Sequence, residues 1–230
     1  MLGTPTILGV PDGQHVRPQA MEFLVYLIVC GGSAYQHDIL GDLLPEPAHR
    51  LATQRLHTYT YNLRQIFRSI SGDNTYLRLR RHHYTLNTDA FDVDLWTMRN
   101  AITAAHHASN PAASIAALRL AISAYRGPLA AHAGYPWITR HRQAVASQFA
   151  GAAITLAERL ADQPAEAGAV LAAAARHHPH HEFLAATGPT SSQSAELTTA
   201  PARMPSPQAD HRGPTHPNRP LSDSPNASIP

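Results

Sequence analysis

Along the chain, stretches with apolar residues every three to four positions alternate with short runs of Gly and Pro. In RPQAMEFLVYLIVC, Met21, Leu24, Val25, Leu27 and Ile28 recur at helical spacing. Pro18 suits the first turn of that helix, and Gly31 with Gly32 ends it. A second stretch, AYQHDILGDLL, has Ser33 as its candidate cap and ends before Pro45. A third covers residues 48–72 with no Pro and no internal Gly. On a wheel of ~100° per residue, Ala52, Leu56, Tyr59, Leu63, Ile66, Phe67 and Ile70 fall on one side. This pattern predicts a long helix over 48–71 with that side buried. After it the period changes to two: Tyr76, Leu77 and Leu79 face Tyr84, Thr85 and Leu86 across RRHH. That spacing predicts a β-hairpin over 76–87 with a basic tip. Upstream of all these, TILGV reads as a short strand and PDGQHV as a turn.

Three helices followed by a hairpin is the order of a winged helix-turn-helix. Beyond residue 90 the chain becomes Ala-rich and helical in period. Asp92 and Asp94 are candidate caps for a helix starting near Leu95, with Trp96, Met98 and Ile102 on its apolar side. Asn110–Pro111 interrupts it, and Ile115, Leu118, Ile122 and Tyr125 mark the next helix. YPWITRHRQAVASQFAGAAITLAERLA and PAEAGAVLAAAARHH supply two more. Paired helices with alanine at their contacts resemble tetratricopeptide-type (TPR-like) stacking, which builds surfaces for protein contacts. From about Thr187 the chain is Pro, Ser, Thr and Ala with few large apolar residues, too little to offset chain entropy. The expected fold is mainly α with a small β-hairpin wing. Its expected parts are a winged helix-turn-helix over 1–90, a truncated TPR-like helical domain over 91–184 and a disordered tail over 185–230.

Charge matters here locally. The net charge of the 230 residues is only +2, so a polyanion site must come from clustering. Residues 48–72 contain no Asp or Glu, and the side opposite the apolar stripe carries Arg50, Gln54, His57, Tyr61, Arg64, Gln65 and Arg68. A solvated helix face usually mixes charge signs. Arg forks onto guanine or phosphate, Gln pairs with adenine, and His and Tyr reach phosphates. The arrangement fits a recognition helix in a DNA major groove, with Arg80, Arg81 and His82 at the hairpin tip gripping the adjacent backbone or minor groove.

Other chemistries find little support. No HExxH, GxSxG or phosphate-binding loop occurs. The sequence therefore points to a protein that is not an enzyme and takes no cofactor. Sixteen histidines include HHPHH at 177–181, but a helix end suits them better than a metal site. Cys30, the single cysteine, sits in an apolar run and reads as a buried core thiol. FLVYLIVC is too short for a membrane span, and a reducing cytoplasm fits the cysteine usage.

VRPQAMEFLVYLIVCGGSAYQHDILGDLLP, RLHTYTYNLRQIF, YLRLRRHHYTLNTDAFDVDLW, AISAYRGPLAAHAGYPWITRHRQAV and LAERLADQPAEAGAVLAAAARHHPHHE together resemble the bacterial transcriptional activator domain family of the antibiotic-regulator type. The likeness covers residues 2–182. It is nearest to a subgroup often fused to peptidoglycan-binding (LysM) segments. It implies a response-regulator-like winged helix joined to a tetratricopeptide-like domain, and transcriptional regulation, often activation through RNA polymerase. It implies base contacts at Arg50, Gln54, His57 and Tyr61, with Arg64 and Arg68 on phosphates. Double-stranded DNA is then the partner, and the family's tandem or palindromic sites imply a homodimer. Two departures stand out: the N-terminal sheet is short, and the repeats give way to the Pro/Ser tail. The low net charge, the short N-terminal sheet and that subgroup's fusion habits keep a second reading open, a protein-interaction adaptor whose winged helix does not bind DNA.

Overall fold

The computed structural model describes residues 1–45, 49–72 and 76–177. The tail expected over 185–230, and the histidines beyond His177, lie outside them. The architecture is the expected one: mostly helical, with a small antiparallel sheet.

Helix α1 (Pro18–Val29) is central. Seven consecutive residues, Phe23 to Val29, are buried, because neighbouring elements surround it. It ends in a Schellman turn: the Gly31 amide donates to Ile28 and the Gly32 amide to Leu27. Gly32 has φ +93°, and a Cβ there would come within 2.7 Å of the Thr88 methyl. Its carbonyl accepts from Leu86, so the turn also delivers the chain to the sheet. Strand β1 (Ser33–Tyr35) pairs with β3 (His83–Leu86), which pairs with β2 (Leu77–Arg80), all antiparallel in the order β1-β3-β2.

Helix α2 (Gln36–Leu43) follows β1 directly. Ser33 is therefore no cap: it pairs with Thr85 in the sheet, and Tyr35 precedes the helix without a side-chain capping bond. TILGV is no strand either. Leu8 and Gly9 form a turn and leave Leu8 86% exposed, while Leu2 forms an isolated bridge with Leu129. The run is apolar but lies where no partner strand pairs with it.

Helix α3 (His49–Ser71) buries Ala52, Leu56, Thr60, Leu63, Ile66 and Phe67. Two members of the expected stripe differ. Tyr59 is only half-buried, and Ile70, at the last turn, is 40% exposed. Thr60 replaces them inside, because its hydroxyl donates to the Leu56 carbonyl and needs no outside partner. Helix α3 packs against α1, α2 and β2.

Helices α4 (Asp94–His106) and α5 (Pro111–Ala124) form one hairpin, and α6 (Thr139–Arg159) and α7 (Pro164–His177) a second. Asn110 caps α5 by accepting from Ala113, with Pro111 at the first position. Neither Asp92 nor Asp94 caps α4 from the preceding position, which is Val93. Asp94 instead accepts from the Met1 ammonium at 2.8 Å and the Leu2 amide at 2.9 Å. One hydrophobic core runs from Leu2 through α1, α3 and the sheet into α4, α6 and α7. Specific bonds stitch this joint. The Trp96 indole donates to the Ile28 carbonyl, Arg99 to the Val29 carbonyl and the Trp137 indole to the Glu22 carboxylate. Burial pushes the Glu22 carboxyl up, against the lowering effect of that indole bond. Cys30 is not a core thiol. It occupies the C-cap of α1 on the surface, one residue beyond the last buried position, Val29.

Candidate nucleic-acid interface

The polar face of α3 is open. Arg50, Gln54, Arg55, His57, Gln65 and Arg68 are exposed, and Tyr61 is 65% exposed. The ion pairs among the described residues are Met1–Asp94, His37–Asp38 and Arg119–Glu166, and none involves α3 or the wing. The face is therefore cationic as the sequence implies, not neutralised by the chain's own carboxylates.

Arg64 stands apart from this set. It is half-buried, and its Nε donates to the Leu77 carbonyl at 3.1 Å. It ties α3 to the first wing strand, a role that helical periodicity alone does not reveal. Between α3 and the wing runs a groove of about 460 Å³ lined by His57, Thr60, Tyr61, Arg64, Leu79 and Tyr84. Tyr84 is fully buried at its floor. Its hydroxyl lies beside that of Thr60 without a bond of normal length, and burial pushes its phenol up.

Two residues join the strands of the wing, Arg81 and His82, with φ of +50° and +61°. Left-handed values at both central positions are those of a type I′ hairpin turn, which Asn-Gly favours and Arg-His does not. Each such residue costs roughly 1–2 kcal/mol relative to a right-handed conformation. The strain places Arg80, Arg81 and His82 at an exposed tip.

Gln36, which the sequence did not single out, holds that tip. It is 7% exposed at the start of α2, and its backbone amide donates to the His82 carbonyl at 2.7 Å. Its side chain lies between the His82 ring and the Thr53 hydroxyl, at 3.4 Å from each. Asn62 is a second such residue. It accepts from the Arg17 amide and donates to the His15 carbonyl, fastening the segment before α1 to the flank of α3. Burial and these bridges need the tertiary fold, so periodicity carries no signal for either residue.

Among the described residues, no group of three or more His, Cys, Asp or Glu could hold a metal, and no helix is long and apolar enough to cross a membrane. A separate cleft of about 690 Å³ opens where the end of α3 meets α4 and α5, with Phe67, Ile70, Phe91, Leu120 and Arg126 in its lining.

No family model matches the sequence, and no curated protein matches it. Among solved structures, the fold is similar to that of Mycobacterium tuberculosis EmbR, determined in complex with a low-affinity phosphopeptide. The TM-score is 0.64 at 23% identity, over 81% of this chain and 52% of that one. This chain thus spans about half the length of the EmbR chain, and at that identity the likeness is one of fold.

Proposed function

We propose that the protein is a DNA-binding transcriptional regulator of the bacterial transcriptional activator domain type, acting by binding and not by catalysis. One observation carries this reading: the exposed face of α3 and the wing tip form an acid-free cationic surface that the helical hairpins leave open. On this reading α3 lies in the major groove. Arg50, Gln54, His57 and Tyr61 meet base edges, and Arg68, Arg80, Arg81 and His82 meet the phosphate backbone. Arg64 contributes through its hold on β2 as well as through any charge it offers. Helices α4 to α7 form a second domain for protein partners, RNA polymerase among them. A second copy would occupy the adjoining half-site. The setting is the cytoplasm.

Selection from random duplexes tests it, followed by anisotropy titrations of the selected and a scrambled duplex at several salt concentrations. The expected outcome is one enriched motif, with steep salt dependence on both duplexes and tighter binding to the selected one. No enrichment, with equal weak affinity for every duplex, would refute sequence-specific regulation and leave the adaptor reading.

A further inference from the structure

The hydrogen bond that Thr53 makes to its own helix sets the direction of those around Gln36. The Thr53 hydroxyl donates its single hydrogen to the His49 carbonyl at 2.9 Å. Toward Gln36 it can then only accept, so the Gln36 amide nitrogen must face Thr53. The Gln36 carbonyl oxygen is thereby turned to His82 Nδ1. An amide oxygen accepts and never donates, so a hydrogen bond at this contact places the hydrogen on Nδ1. In neutral His82, Nε2 is then bare.

From this we infer that Gln36 is a positioning residue that makes the wing-tip phosphate contact of His82 proton-dependent. The inference rests on the DNA-binding reading above. A phosphate oxygen offers lone pairs only. Neutral His82, with its Nδ1 hydrogen held by Gln36, presents a further lone pair at Nε2 and cannot donate there. Once Nε2 takes up a proton, the ring becomes a cation with both nitrogens donating, and Nε2–H reaches the phosphate. The contact therefore forms with the uptake of one proton at Nε2.

The elements that meet at the tip supply the other charged and titratable groups. Arg80, Arg81 and His83 lie on the wing, Tyr35 on β1 against the His83 and His37 rings, His37 and Asp38 in the first turn of α2, and His49 and Arg50 at the start of α3. Asp38 is engaged by His37 at 3.2 Å. Within this set the stated hydrogen-bond chain reaches only the His82 ring.

Two measurements test the inference. The first uses the free protein: ¹⁵N shifts of the His82 ring at pH 8. The Nδ1–H tautomer is expected, and an Nε2–H tautomer overturns the inference while leaving DNA binding untouched. The second is affinity for a fixed duplex from pH 8 to 5.5 at constant ionic strength. Linkage of one proton sets a limit of about tenfold in affinity per pH unit. His82→Asn should lose up to one proton from the slope, the remaining histidines supplying the rest. Gln36→Leu should release the ring to the Nε2–H tautomer and flatten the profile in the same way. Gln36→Glu keeps an acceptor beside Nδ1 and should extend tight binding to higher pH. Identical pH slopes for wild type and His82→Asn would overturn the inference. Failure to bind DNA at any pH would instead remove the function on which it rests.

Discussion

The wing tip carries strain that one substitution should relieve at the expense of DNA affinity. Arg81 sits at φ +50°, a conformation that costs a typical L-residue roughly 1–2 kcal/mol and asparagine less. Arg81→Asn should therefore stabilise the fold by about 1 kcal/mol, and for a chain of this size each kcal/mol moves Tm by roughly 2–4 °C. The same change removes a guanidinium from the tip. Each phosphate contact contributes about 0.9 to the slope of log affinity against log salt. Losing one should reduce the affinity lost between 50 and 200 mM salt by roughly 3.5-fold, that is, 4 raised to the power 0.9. Thermal melts with anisotropy titrations on one duplex at four salt concentrations measure both quantities. A Tm that falls would refute the strain argument. An unchanged salt slope alongside a raised Tm would show that Arg81 does not meet a phosphate.

Other substitutions separate binding from folding. Arg64→Ala should lower stability by about 1.5–3 kcal/mol, the worth of a hydrogen bond from a charged donor, because it frees β2 from α3. Arg68→Ala, on the exposed side, should shift stability by no more than about 0.5 kcal/mol yet weaken binding to all duplexes alike; denaturant titration and anisotropy distinguish the two. Gln54→Ala or His57→Ala should change the motif recovered by duplex selection, not merely the affinity. Glu22 gives a pH prediction. Its folded-state pKa is raised, so folding binds a proton and stability falls as pH rises from the ordinary carboxylate value through the raised one. Glu22→Gln keeps an oxygen for the Trp137 indole and removes the charge. It should flatten that decline in melts across pH 4 to 7, and an unchanged profile would exclude Glu22 as its source.

How far the sequence reads correctly depends on what each feature needs. Helix α3 and the hairpin were legible because a 3.6-residue period and a two-residue period differ over a dozen positions. The two-residue turn at Arg81 and His82 lay inside the expected tip, although neither residue favours it. Ser33 failed as a cap because a three-residue strand is too short to show a period and its partner lies fifty residues on. TILGV failed for the complementary reason: it has strand composition, but nothing pairs with it. Thr60 and Gln36 were missed because polar residues are expected outside, and only the tertiary fold shows that each has an internal partner. Cys30 was misread by a single residue, since the apolar run continues to it in sequence while burial stops at Val29.

Cost distinguishes the two functional readings. A hairpin that only had to close would gain from Asn-Gly at its turn, and a helix that only had to dissolve would gain from glutamates among its arginines. This chain has neither. Its wing holds Arg and His in left-handed conformations, and α3 gathers arginines with no carboxylate in reach among the described residues. Both choices weaken the isolated protein and become favourable when a polyanion covers the surface, because the repulsion is then relieved and the tip groups gain partners. Local conflict of this kind concentrates where a structure meets its ligand. A protein-contact surface on this side would need the same excess of one charge only if its partner were itself strongly acidic. A competition titration with an acidic peptide and a duplex of equal charge therefore bears on the choice: displacement by the peptide at matched charge would favour the adaptor, and preference for the duplex the regulator.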